Sequence, residues 1–352
     1  MSKGKTNPGN FFEDFAVGQV LQHATPRTLT SGDVAVYNSL YSPRFAVQSS
    51  DQFARAVGYP RSPVDDLIVF HTIFGKTVAD ISLNAIANLG YAECQFLAPV
   101  YPDDTLAASS EIIGLRENSN RASGVVYVKS RGRNQNGEIV LEYVRWVMVR
   151  KREQTAPAPT PVVPKLAQRV DPVGLGTAVP RLATAGYDFA LAGAPHRWSD
   201  YNVGEKIDHA DAMTLEEAEH QTATRLYQNN AKVHFNLHEQ AQGQFKRRLV
   251  YGGVVISLAR ALSFNGLANA FHIAAINGGR HVSPCFAGDT VYAWSEVLER
   301  AELPGRSDVG ALRTRLIAVK NRSSATFPLR NADGEYEEGV LLDLDVWLLL
   351  PR

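Results

Sequence analysis

Cysteine is nearly absent from this chain: Cys94 and Cys285 are the only two in 352 residues, and both sit in strand-like surroundings. So small a supply excludes a disulfide scaffold and reads as two packing thiols in a reducing compartment. No apolar run is long enough to cross a bilayer, and the first ten residues are polar where a secretory signal needs an apolar stretch. A cytoplasmic protein with no membrane partner is therefore expected. Neither sign of charge is in excess, since 36 Lys and Arg balance 36 Asp and Glu, which argues against nucleic acid as a partner. Gly174-Leu-Gly176 lies in a proline-rich stretch with no preceding strand, so it is no dinucleotide fingerprint, and no Gly-x-Ser-x-Gly elbow occurs. His234 and His238 are four apart, but no third ligand follows at a characteristic spacing, so neither a metal nor another cofactor is expected.

What is present is one unit written twice. The length suits two domains, each able to bury its own core. Residues 153–185 hold Pro157, Pro159, Pro161, Pro164, Pro172 and Pro180 among Ala, Thr, Val and Gln, the composition of a linker rather than a packed element. The expected division is therefore 1–152, a linker over 153–185, and 186–352. Asp14-Phe-Ala-Val-Gly18 answers Asp200-Tyr-Asn-Val-Gly204, a displacement of 186 positions (200 − 14 = 186). His23 and His209, Thr28 and Thr214, Tyr41 and Tyr227, and Val64 and Val250 keep the same displacement. Further on, Pro99-Val-Tyr-Pro-Asp-Asp-Thr-Leu106 matches Pro284-Cys-Phe-Ala-Gly-Asp-Thr-Val291 at 185 (284 − 99 = 185), and Trp146 matches Trp347 in strand-rich tails.

Each half reads as a leading strand, a polar-capped helix, a loop, a long apolar helix and then alternating strands. Helices segregated from strands imply an α+β class. A long buried helix ahead of an antiparallel sheet is what a hotdog unit provides, so two in tandem would build a hotdog dimer within one chain. The long helices are expected near 64–74 and 250–262, each wrapped by its own antiparallel sheet. A homodimer of the whole chain is left open as the assembly.

The chemistry centres on the polar loop Tyr227-Gln-Asn-Asn-Ala-Lys-Val-His-Phe-Asn236 between two helical segments. Its His234 is delivered close to the start of the helix that opens Tyr251-Gly-Gly-Val254, a geometry suited to a developing oxyanion. Gly252 and Gly253 serve either helix packing or the exposure of amides. Lys246-Arg-Arg248, just before that helix, is either a solvated charge run or a contact for phosphate groups.

These residues resemble the MaoC-like, (R)-specific enoyl-CoA hydratase family, and within it the double-hotdog mesaconyl-CoA hydratases. The resemblance is carried by Tyr37-Asn-Ser-Leu-Tyr-Ser-Pro-Arg-Phe45, Asp65-Asp-Leu-Ile-Val-Phe-His-Thr-Ile-Phe-Gly-Lys-Thr77, Asn84-Ala-Ile-Ala-Asn-Leu-Gly-Tyr-Ala-Glu93 and Ala223-Thr-Arg-Leu-Tyr-Gln-Asn-Asn-Ala-Lys-Val-His-Phe-Asn236. It implies an acyl-CoA thioester substrate and reversible hydration of mesaconyl-CoA to β-methylmalyl-CoA. The wider family's loop is Gly-Asp-x-Asn-Pro-Leu-His; His234 fits the histidine, but the aspartate position holds Asn229, which cannot take a proton at pH 7. His234 is then either a lone base oriented by Asn229, or is joined by Asp65, Asp66, Glu217 or Glu219. In the first half the facing positions hold Gln48 and Pro43, neither a base, so one active site is expected, in the second half.

Gly252 and Gly253 would hold the thioester oxygen, and Lys246, Arg247 and Arg248 would meet the coenzyme A phosphates. Arg44 is favoured over Lys232 as the cation for a free carboxylate on the substrate, because a guanidinium grips it with two hydrogen bonds. Asn236 and Tyr251 complete the candidate substrate contacts beside Gln48. Hydration of another enoyl-CoA, thioester hydrolysis and non-catalytic acyl-CoA binding are the rival readings.

Overall fold

The computed structural model describes residues 4–352. The first half runs β1 (Val20–Thr28), α1 (Ser31–Tyr41), the short α2 (Ala46–Ser49) and α3 (Asp51–Ala56), the long α4 (Asp66–Thr77), then β2 (Ala85–Phe96), β3 (Thr105–Glu117), β4 (Ser123–Arg133) and β5 (Ile139–Arg150). The second half repeats the order with β6 (Lys206–Thr214), α5 (Glu217–Leu226), α6 (Lys232–Phe235), α7 (Leu237–Gln240), α8 (Gly252–Leu262) and the short α9 (Phe264–Leu267). It closes with β7 (His272–His281), β8 (Thr290–Leu303), β9 (Arg306–Lys320) and β10 (Val340–Pro351). Helices α1 to α4 begin at 31, 46, 51 and 66, and α5 to α8 begin 186 positions later at 217, 232, 237 and 252. The displacement of the repeated phrases is thus the displacement of the backbone.

Leu67 to Thr77 of α4 and Gly253 to Leu262 of α8 are buried throughout. A helix whose apolar residues spread around most of its circumference has to be enclosed, and the strands enclose these two. They do so as one ten-stranded sheet rather than two separate ones, in the order β1-β3-β4-β5-β2-β7-β10-β9-β8-β6, which reads the same from either end under the repeat. The halves join through antiparallel β2 and β7, with Tyr91 opposite Gly279 and Gln95 opposite Ala275. This pairing removes two edges that would otherwise expose unpaired backbone groups.

Repeat mates meet at the pseudo-twofold axis. The Tyr227 hydroxyl donates to that of Tyr41 at 3.1 Å, and His71 Nε2 lies 3.0 Å from Ser257 Oγ. Helices α4 and α8 run antiparallel there: Asp66, at the start of α4, accepts the Ile273 N–H (2.8 Å) from beyond the end of α8, while His71 abuts Gly253 at the start of α8. At Gly75 a Cβ would lie 1.9 Å from the Tyr227 carbonyl oxygen, so glycine is what lets the polar loop rest on α4. The repeated His23 and His209 are structural, each bonding through Nε2 to a serine of the neighbouring strand, Ser110 or Ser295, at 2.8 Å.

The proline-rich stretch is irregular, as its composition predicts, but it is packed rather than free. Arg306 donates to the carbonyls of Gly176, Val179 and Pro180, Asp308 accepts the Leu182 N–H, and Asn277 accepts the Val170 N–H. Proline removes backbone donors without removing carbonyls, so side chains of the second half can strap the extended segment down. Cys94 and Cys285 are free and buried, and burial pushes both thiols up.

Candidate active site

The two long helices start differently. Asp65 caps α4, accepting the Leu67 N–H at 2.8 Å, whereas at the matching position Tyr251 offers α8 no side-chain cap. The first N–H groups of a helix have no partner within it, and among the described residues none accepts from Gly252 or Gly253. Both glycines are also sterically required. A Cβ on Gly252 would lie 2.3 Å from His281 Cε1, and one on Gly253 would lie 2.4 Å from Tyr251 Cε1 and 2.5 Å from His71 Cε1. Two open amides at the positive end of the helix dipole can hold an oxyanion.

His234 sits half-buried on α6 with Nδ1 2.9 Å from the Leu249 carbonyl. A carbonyl only accepts, so Nδ1 carries the proton and Nε2 keeps its lone pair. Burial pushes the imidazole pKa down to about 4, which leaves it a neutral acceptor at pH 7. Its ring lies 5.5 Å from that of Tyr251, immediately before Gly252, and 6.3 Å from that of His220. The Tyr251 N–H donates to His220 Nε2 at 3.0 Å, which fixes the backbone where α8 begins. His281, at the end of β7, is also driven to about 4 by burial and then by His234, and its Nε2 lies 3.3 Å from the Tyr91 hydroxyl. Sequence reading misses His220, His281 and Tyr91. The one local signal was that His220 belongs to the helix leading into the loop; His281 and Tyr91 arrive only through strand pairing.

The sequence profile described as mesaconyl-CoA hydratase matches residues 2–331. The chain belongs to the mesaconyl-CoA hydratase family. It is 61% identical over 348 residues to the β-methylmalyl-CoA dehydratase of Chloroflexus aurantiacus, covering 99% of each chain. It is 60% identical over 351 residues to the mesaconyl-CoA hydratase of Cereibacter sphaeroides, covering 99% of this chain and 100% of that one. A crystal structure of a MaoC domain protein dehydratase from Chloroflexus aurantiacus superposes with a TM-score of 0.97 at 60% identity, covering 99% of both chains. A double-hotdog protein of Mycobacterium tuberculosis shares the fold at a TM-score of 0.76 and 24% identity, covering 98% of this chain and 99% of that one.

Within this mesaconyl-CoA hydratase fold several expected site residues are placed elsewhere. Asn229 does not orient His234: its Oδ1 accepts the Ala231 N–H at 3.1 Å and shapes the turn into α6. Among the described residues no carboxylate joins His234. Glu217 pairs with Arg248, Glu219 accepts the Glu216 N–H, and Asp65 and Asp66 stand at the opposite end of the helix pair. Arg44 is exposed at that far end too, over the Phe264 ring at 4.6 Å and 3.6 Å from Asp211. Because α4 and α8 are antiparallel, the first-half loop lies beyond the end of α8, so Arg44 and Gln48 stand away from His234 at the start of α8. Gln48 donates to the Phe271 carbonyl beside the Asp66–His272 pair, 2.9 Å apart. Lys232 pairs with Glu239, and Asn236 caps α7 by accepting the Glu239 N–H, so both serve the loop's own outer face. Arg248 is buried against Glu217 and Gln221 and is not free for phosphate, whereas Lys246 and Arg247 are exposed. Tyr251, Gly252 and Gly253 do converge with His234.

Proposed function

We propose that this chain catalyses the reversible hydration of mesaconyl-CoA to β-methylmalyl-CoA at a single site in its second half, with the first half supplying a wall. The observation that carries this reading is the open Nε2 of a neutral His234 beside the uncapped start of α8. A thioester conjugated to an alkene is electrophilic at its β-carbon. Water attacks there while His234 Nε2 takes one of its protons, and the Gly252 and Gly253 amides bear the charge that grows on the thioester oxygen. The α-carbon then takes up a proton, so one water is added across the double bond. Mixing the protein with mesaconyl-CoA should bleach the ultraviolet absorbance of the conjugated thioester and give a product heavier by one water. Release of free coenzyme A thiol instead, or an unchanged spectrum, would overturn the proposal.

Lys246 and Arg247 are the cations that support a coenzyme A phosphate contact; Arg247 is held over the Phe286 ring at 3.8 Å. The double variant Lys246→Ala, Arg247→Ala is expected to raise KM about tenfold with kcat retained, the pattern of binding lost equally in ground and transition states. An unchanged KM would move the phosphates elsewhere.

A further inference from the structure

The acyl group in the proposed reaction carries a free carboxylate, and with Arg44 displaced it needs another partner. On the inner face of β5 lies a cation with no evident purpose in the fold. Arg145 is 0% exposed, and its guanidinium rests 4.2 Å from the centre of the Phe74 ring. Nη2 donates to Thr77 Oγ1 at 2.8 Å and reaches Ser82 Oγ at 3.5 Å. Nε and Nη1 are buried with no hydrogen-bond partner, and among the described residues no carboxylate pairs with this arginine.

Burying an unpaired charge is costly, and so is leaving N–H donors unsatisfied. The fold does not require it: Trp146 matches Trp347, and the residue before the second tryptophan is Val346, buried in the core. A position that the fold fills with valine in one half and with an uncompensated arginine in the other points to a ligand. The groups around Arg145 are those of the site. Tyr91 lies opposite Arg145 in the pairing of β2 with β5, and the rings of Tyr143 and Tyr251 pack against the Phe74 ring that the guanidinium covers. The Phe74 ring lies 5.8 Å from that of Tyr251, which in turn lies 5.5 Å from His234, while Tyr91 meets His281.

We infer that Arg145 receives the free carboxylate of the acyl group and so selects a dicarboxylic enoyl thioester over a monocarboxylic one. This rests on the reaction proposed above. Carboxylate oxygens satisfy the open donors and neutralise the charge in one contact, and a planar guanidinium is the side chain best shaped for it. The carboxylate end would then be held by the first half while the thioester oxygen is held by the second, which gives the catalytically silent half a role in specificity.

The test compares mesaconyl-CoA with crotonyl-CoA as substrates, and succinyl-CoA with butyryl-CoA as unreactive ligands in thermal-shift titrations. Arg145→Met should lower kcat/KM for mesaconyl-CoA roughly a hundredfold to a thousandfold and leave crotonyl-CoA within a few-fold. Its unliganded melting temperature should rise, because an unpaired buried charge is gone; loss of a purely structural arginine would lower it. Arg145→Lys should retain part of the preference. Equal losses on both substrates, or a fall in melting temperature, would overturn the inference. If Arg145→Met does not fold, the natural protein decides: tighter binding of succinyl-CoA than of butyryl-CoA supports a carboxylate site, and equal binding removes it. Failure of the natural protein to hydrate mesaconyl-CoA, with the succinyl-CoA preference intact, would sink the proposed reaction while supporting the arginine.

Discussion

His234→Ala should slow mesaconyl-CoA hydration roughly a hundredfold to ten-thousandfold, the range expected for loss of a general base, whereas Gln48→Ala should stay within a few-fold. The asymmetry follows from geometry. His234 presents an open Nε2 at the uncapped start of α8. Gln48, its repeat mate, is bonded to Phe271 near the start of α4, where Asp65 and Asp66 occupy the space that an oxyanion would need. The pH dependence adds a second signature. With its pKa driven down to about 4, His234 is the unprotonated base above that pH and a useless imidazolium below it. The acid limb of kcat/KM should therefore fall well below the ordinary histidine range of about 6.5 and vanish in His234→Ala. Comparable losses from the two substitutions, measured by thioester absorbance, would contradict a single living site.

Acid should also unfold this protein early. His71, His209 and His220 are 0%, 0% and 1% exposed, with pKa values pushed down by burial to about 3, 4 and 3. In the unfolded chain each returns to about 6.5. Between those values the unfolded state binds more protons, so stability is complete above about pH 6.5 and drains as pH falls toward the folded values. Each group costs about 1.4 kcal/mol per pH unit in that window, so at pH 5 the three together remove roughly 6 kcal/mol. Asp65 acts in the opposite sense. Burial and then Asp66 raise its pKa to about 6, so protonating it below that pH relieves a cost. One carboxylate offsets only part of three histidines. Against a typical stability of about 5–15 kcal/mol, the urea midpoint should drop steeply from pH 7.5 to pH 5. A flat profile would show that these imidazoles can charge without cost.

Much of the architecture follows from local sequence. The long helices at 66–77 and 252–262 are predominantly apolar runs, which is visible without any tertiary information. The repeat is legible because duplicated backbone keeps its spacing, so Tyr41 predicts Tyr227 and Val64 predicts Val250. The same spacing pairs His234 of the polar loop with Gln48, which cannot act as a base, and the loop and helix phrases identify the family. What the sequence could not order is which ends of the two halves meet. Arg44 is the cation favoured from sequence for the substrate carboxylate, yet the antiparallel pairing of α4 and α8 carries it beyond the far end of α8.

Tautomer and orientation were equally hidden. His234 is held by a carbonyl 15 residues away rather than by Asn229 inside its own loop. Tyr91 reaches His281 across the junction of the two half-sheets, from 190 residues away. Arg145 looks like one more basic residue in an alternating strand until its neighbours show it buried without a counter-ion. Periodicity and repetition are properties of neighbours along the chain, and by themselves they determined the fold unit and its duplication. The partners of each polar group are chosen by long-range packing, so only the tertiary structure decided which charges are satisfied and which wait for a ligand.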